Sequence, residues 1–181
     1  LFAPLSGTHF ADGLESILAK IRSLIPAQAL EHFAGLAGTI HVRPFAATDY
    51  SQLKDFLRAL DQGAQECRTV EVQYRSLWRD AIYTTRYDPY GLVLHLDDLF
   101  AVGRSHRANA VRIFKVSRVL SATLTDQTFQ RPEDFDLGSF FRSSFGIIQT
   151  SQEPVEIAVQ FKGVAAAVVE ERIWHDSQKL E

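Results

Sequence analysis

A chain of 181 residues, 46% hydrophobic and 23% charged, with a formal net charge of −3, is long enough to bury a core without staples and too apolar for wholesale disorder. No apolar run approaches the ~20 residues of a bilayer span, and the net charge excludes a protein that coats nucleic acid everywhere, though not a local basic patch. The single cysteine, Cys67, forms no internal disulfide and fits a reducing, cytoplasmic compartment; without a Cys/His cluster, secreted scaffolds and zinc ribbons fall away.

The chain starts at Leu1 and contains no methionine, so it is expected to be a fragment with a partner domain before it. Phe10, Leu14, Ile17, Leu18, Ile21 and Leu24 recur at three- and four-residue steps, the stripe of an amphipathic helix that Thr8 or Asp12 starts. Pro26 ends that helix and opens the next, in which Leu30, Phe33 and Leu36 form a shorter stripe that Gly38 stops. Thr39 to Val42 reads as briefly extended. A third helix is expected from about Ser51, with Leu53, Phe56, Leu57 and Leu60 on one face.

The period then changes. Val70, Val72 and Tyr74 alternate with Glu71, Gln73 and Arg75, the pattern of a half-buried strand. Ala81 to Arg86 reads as a second strand. Asp88-Pro89-Tyr90-Gly91 reads as a turn, because proline fixes one angle and glycine frees another. Leu92 to Leu94, Leu99 to Val102, and Ala110 to about Val116 or Leu124 complete five short strands. Five antiparallel strands with tight turns predict a small barrel, which closes to remove its edges. Beyond it, Asp136 to Phe145 is a short helix candidate. Val155, Ile157 and Val159 alternate within an expected strand, Pro154 to Phe161, and Val164 to Trp174 reads as helix. The fold class is α+β.

Charge is unevenly placed. Between Arg104 and Arg118 lie five cations (Arg104, Arg107, Arg112, Lys115 and Arg118) and no carboxylate; the remaining 14 basic residues face 22 acidic ones. Such a segment concentrates anions. On an unbroken strand Arg112 and Phe114 share one face and Lys115 takes the other. A tightly curved surface would present Arg104, Arg107 and Arg112 together, with Ser105 and His106 as added donors. Arginine suits phosphate because its fork donates two parallel hydrogen bonds. The plainer alternative is a solvated face, or partners for Asp97 and Asp98. Arg75 and Ser76 are either loop residues or contacts of the same site.

Nothing recommends catalysis. No phosphate loop, dinucleotide fingerprint or nucleophile elbow is present. Neither Glu170-Glu171 nor Asp97-Asp98 has flanking groups suited to acid–base work. No enzyme activity and no cofactor are expected.

Three segments together resemble the WYL domain of bacterial transcription regulators. They are Tyr74-Arg75-Ser76, Asp88-Pro89-Tyr90-Gly91-Leu92-Val93 and Arg112-Ile113-Phe114-Lys115-Val116-Ser117-Arg118-Val119. Ser144-Phe145-Gly146, Glu153-Pro154-Val155-Glu156, Glu171-Arg172-Ile173-Trp174-His175 and Ser177-Gln178 resemble the junction with, and opening of, that family's C-terminal extension, WCX. Residues 1 to about 65 resemble its helical connector. The resemblance implies connector and dimerisation helices over 1–65, an Sm/SH3-like sensing barrel over 66–146, and the start of WCX over 147–181.

It also implies a role. The barrel would bind single-stranded DNA or another nucleotide-like anion and so control promoter DNA binding by a missing winged helix-turn-helix. The protein would be a homodimer with no membrane contact. The implied ligand contacts are Arg104, Arg107, Arg112 and Arg118 for phosphates. Ser105, His106, Arg75 and Ser76 would add hydrogen bonds, and Phe100 or Tyr74 stacking. The namesake Trp-Tyr-Leu falls here on Leu99-Phe100-Ala101, so the phenol hydroxyl is lost and the aromatic face kept. Ser117 stands where the family usually has aspartate, which removes a negative charge beside Arg118. The rival expectation is a protein-interaction module with no small ligand.

Overall fold

A computed structural model describes residues 3–37, 48–149 and 153–181. They form two compact units, Leu1–Arg131 and Pro132–Glu181.

The first unit opens with helices. Helix α1 spans His9–Leu24 and starts at Thr8, whose hydroxyl accepts from the Ala11 N–H at 3.2 Å, a side-chain cap of the usual kind. Helix α2 follows at Ala27–Ala37. Thr39 to Val42 and Gly38 lie outside the described residues. Helix α3, Lys54–Glu66, follows a short 3-10 turn at Ser51–Leu53. It buries Leu57, Leu60, Gly63 and Ala64. Its end is set by Cys67, whose φ of 52° is left-handed and whose N–H bonds to the Gly63 carbonyl. A nitrogen of Arg131 donates to the Ala64 carbonyl at 2.6 Å and satisfies another free acceptor of that last turn.

Five antiparallel strands follow: β1 Arg68–Ser76, β2 Ala81–His95, β3 Asp98–Ser105, β4 Ala110–Lys115 and β5 Val119–Thr128, in the order β4-β3-β2-β1-β5. Strands β4 and β1 are thus three places apart, about 14 Å in a flat sheet. Yet the Tyr74 ring of β1 stacks on Phe114 of β4 at 4.3 Å, and the Tyr74 hydroxyl accepts from the Lys115 N–H. Only a sheet rolled on itself permits both. Val70, Val72, Tyr87, Leu99, Ala101, Val116 and Val119 fill the roll, with Leu57 and Leu60 of α3 packed against them. At its centre the Tyr87 hydroxyl lies 2.9 Å from both the Ala101 and Arg112 carbonyls. Burial holds its pKa well above the ordinary phenol value.

The strands are divided differently from the expectation. Asp88-Pro89-Tyr90-Gly91 is no turn: β2 runs through it, and the register against β3 shifts between Pro89 and Gly91. A bulge accommodates proline, which has no N–H for the ladder. The fifth predicted strand breaks at a 3-10 turn, Val116–Arg118, which separates β4 from β5.

In the second unit, α4 spans Leu137–Phe141 and is capped by the Asp136 carboxylate, which accepts from the Ser139 N–H at 2.7 Å. Helix α5 covers Val164–Glu170, shorter than the Val164 to Trp174 expected. The predicted strand Pro154 to Phe161 is absent. These residues are exposed and carry no strand assignment, Val155, Ile157 and Val159 among them. Alternation alone does not hold a strand that has no neighbour to pair with.

One ion pair ties the far end of the sheet. Lys115 Nζ lies 2.6 Å from the Asp98 carboxylate, which also accepts from Thr48 at 2.7 Å. Burial opposes ionisation of Asp98. The hydrogen bonds from Lys115 and Thr48 and the charges of Lys115 and Arg118 outweigh it, so its pKa lies below the ordinary 3.8. A lowered carboxylate pKa stabilises the fold above the unfolded value and loses that contribution as pH falls through the folded one. Asp98→Asn is therefore expected to cost about 1 kcal/mol at pH 7, and progressively less as pH falls below the ordinary carboxylate range and through the lowered folded value. Urea midpoints followed from about pH 7 downward measure this; a loss that does not shrink with acidification would contradict it.

Candidate anion-binding mouth

The candidate site lies where the loop after β3 meets the starts of β2 and β4. Strand parity decides who faces it. Across β3 and β4, Ala101 pairs with Phe114, Gly103 with Arg112 and Ser105 with Ala110, so these residues share the inward face. Phe100 pairs with Lys115 and Arg104 with Val111 on the outward face. Arg112 thus continues the row of Phe114 beyond the core, where its side chain is exposed, opposite a glycine. In β1 and β2 the inward row is Val72 with Thr85, Tyr74 with Tyr83 and Ser76 with Ala81.

The loop His106–Asn109 is anchored to β2. The His106 N–H donates to the Arg86 carbonyl at 3.0 Å, and the Arg107 N–H to the Thr85 hydroxyl at 3.2 Å. His106 Nε2 lies 2.8 Å from the Asp88 carboxylate, whose other oxygen accepts from Thr69 at 2.7 Å. Asp88 is buried, so both its oxygens are spoken for inside the protein. Asn109 closes the loop with a φ of 46°, a region that asparagine tolerates. Its side-chain oxygen accepts from Arg104 at 2.7 Å.

Three cations act on one ring. The Arg107 guanidinium sits over Tyr83, 4.8 Å from the ring centre, a cation–π contact. Burial pushes the Tyr83 pKa up, Tyr74 adds to the rise, and Arg107, Arg79 and Arg112 pull the other way. Among the described residues, Arg79, Arg107 and Arg112 form no ion pair with a carboxylate. The result is a partly buried Tyr83 ring, backed by the buried Tyr74 and Phe114 of the core, beneath the Arg107 guanidinium and beside further unpaired cations, a geometry able to hold an anion.

The cationic segment is therefore not one surface. Arg107 and Arg112 reach the mouth. Arg104 is on the outward face, bonded to Asn109, because it is one residue out of phase with Ser105. Lys115 and Arg118 are at the opposite end of β3, beside Asp98. Ser105 faces inward and is buried, 3.4 Å from the Thr85 hydroxyl. Tyr74 is buried in the stack with Phe114 and offers no free face. Phe100 is on the outward face, its ring edge-on to His95 at 6.5 Å. Arg75 is exposed on the outward face, whereas Ser76 shares the parity of Tyr83. His106 is at the loop, tied to Asp88. Tyr83, Arg79 and the anchoring Thr85 and Asp88 are not named as site residues from sequence; Asp88 reads there only as part of a turn. The only signal was the shared parity of Tyr83 and Tyr74 across a hairpin.

Residues 55–124 match the family model for the WYL domain. Among solved structures, proteasome accessory factor B/C (PafBC) of Arthrobacter aurescens aligns at 24% identity with a TM-score of 0.40, over 48% of this chain and 13% of that one. The chain thus spans well under two thirds of that structure's length. No curated protein matches it. The family match begins in α3 and ends within β5, so it takes in the rolled sheet and the basic mouth together, and over these residues the chain matches the WYL domain.

Proposed function

We propose that the chain is the ligand-sensing region of a WYL-family transcription regulator, and that its ligand is a nucleic-acid or nucleotide-like anion, single-stranded DNA included. The WYL family is one of regulatory, ligand-sensing domains, which supports the general role. The specific ligand class rests on one observation: Arg107 lies over the Tyr83 ring, and neither it nor the exposed Arg112 and Arg79, whose charges also act on Tyr83, is paired with a carboxylate among the described residues. His106 is held at the rim by its hydrogen bond to Asp88. In this reading the protein acts as a homodimer, and the ligand favours one arrangement of its subunits. That bias controls promoter DNA binding by the winged helix-turn-helix that the resemblance implies elsewhere in the protein. The coupling requires a difference in affinity between the two arrangements.

Thermal melting in the presence of nucleotides, cyclic nucleotides and short single-stranded oligonucleotides tests it. A ligand at 100 times its Kd stabilises by about 2.7 kcal/mol, which at this chain length raises Tm by roughly 5 °C or more. No shift with any of these anions would favour the protein-interaction module instead.

A further inference from the structure

The hairpin between β1 and β2 carries a side chain that neither the core nor the mouth uses. Ser76 pairs with Ala81, and Leu77–Asp80 form the tip. Trp78, within it, is 92% exposed. Leu77 and Ile82 beside it are exposed as well. Among the described residues the indole makes no ring contact, and it forms no hydrogen bond. Burying an indole removes a large apolar surface from water, so leaving one fully exposed at a loop tip marks a surface built to meet something.

The surroundings say what. Arg75 and Arg79 flank Trp78 in the chain, and both are exposed without a carboxylate partner among the described residues. Asp80 is the acid at the tip. Strand β2 leaves the tip at Ala81 and carries Tyr83 of the mouth two residues later, so the tip and the mouth are contiguous along the strand, and the charge of Arg79 acts on Tyr83. Ala81 and Tyr83 share a face two residues apart, about 7 Å along the strand. An exposed aromatic face among guanidinium groups, next to a cationic mouth, fits a polyanion whose units carry flat rings. Exposed tryptophan and arginine serve protein interfaces as well; the run of cations without carboxylate partners from the tip into the mouth is what favours a polyanion here. Duplex nucleic acid keeps its bases stacked and paired, so only a single strand presents a free base face.

We infer that Trp78 is a stacking platform for a base of single-stranded nucleic acid, with the neighbouring phosphates held at the Arg107–Arg112 mouth. This deepens the proposed function and rests on it: the ligand is then an oligonucleotide rather than a mononucleotide, and its bases as well as its phosphates are read.

The test is fluorescence anisotropy of two labelled oligonucleotides of equal length, oligo-dT and a fully abasic strand, against the whole chain. Trp78→Ala should weaken oligo-dT binding about ten-fold and leave the abasic strand within two-fold. Trp78→Phe should recover most of the loss. Equal weakening of both strands by Trp78→Ala, or of neither, overturns the inference. So does a change in elution volume of the unliganded variant, which would mark Trp78 as a contact between protein chains. Arg112→Ala separates the two readings. If it weakens both strands while Trp78→Ala weakens neither, the mouth stands and the platform falls. If the unaltered chain binds neither strand, both fall.

Discussion

Replacing Arg107 and Arg112 together by glutamate should abolish oligonucleotide binding at moderate salt while leaving the thermal midpoint within a few degrees. Both side chains are exposed and neither is paired with a carboxylate among the described residues, so reversing them removes no internal ion pair. Each phosphate contact is a charge-assisted hydrogen bond, whose loss costs about 1.5–3 kcal/mol. A single Arg→Ala change is thus worth roughly ten-fold in affinity or more, and should lower the salt slope by about 0.7 for each phosphate released. Lys115→Ala is the internal control. Lys115 faces outward, paired with Phe100 in register, and is already held by Asp98. It should change affinity less than two-fold. Anisotropy at several salt concentrations measures all three variants. Equal losses for Arg112→Ala and Lys115→Ala would mean that the basic residues act through net charge and that no mouth exists.

Gly103→Ala should be the most destabilising small substitution in the sheet. A Cβ there would meet the Asp88 carbonyl oxygen at 2.2 Å and the Pro89 Cα at 2.8 Å. Both obstacles are backbone, so no side-chain rotation relieves them. Overpacking of this kind usually costs 1–3 kcal/mol, and a backbone clash belongs at or above the top of that range, about 3 kcal/mol. The consequence reaches the site, because the displaced strand carries Asp88, whose carboxylate holds His106. Urea unfolding should show the loss in the midpoint. Ligand binding by the surviving folded fraction should weaken as well. A loss under 1 kcal/mol would show that β2 and β3 have room between them.

Much of the architecture follows from periodicity. Leu57 and Leu60 sit on one helical face and are buried, as the i, i+3 stripe requires. Val70, Val72 and Tyr74 alternate inward along β1, as a period of two requires. Thr8, one of two residues able to start the first helix, is its cap. Local chemistry misled where a partner overrides it. Asp88-Pro89-Tyr90-Gly91 has turn composition, but β3 pairs along both sides of it and draws the chain straight, leaving a bulge. Val155, Ile157 and Val159 have strand composition, and they form no strand.

The amino-acid order alone determines the helices of the first unit, the inward row of β1 and the presence of a cationic segment, because these depend on neighbours within one turn of helix or a few residues of strand. Which cations meet is a different matter. Arg79 and Arg107 are far apart in the chain, yet both act on Tyr83, whereas Arg104 and Ser105 are adjacent and face opposite ways. That grouping is set by how far the sheet rolls, where its loop is anchored and which end of β3 each residue reaches. Those are properties of non-local pairing, and no window along the chain contains them.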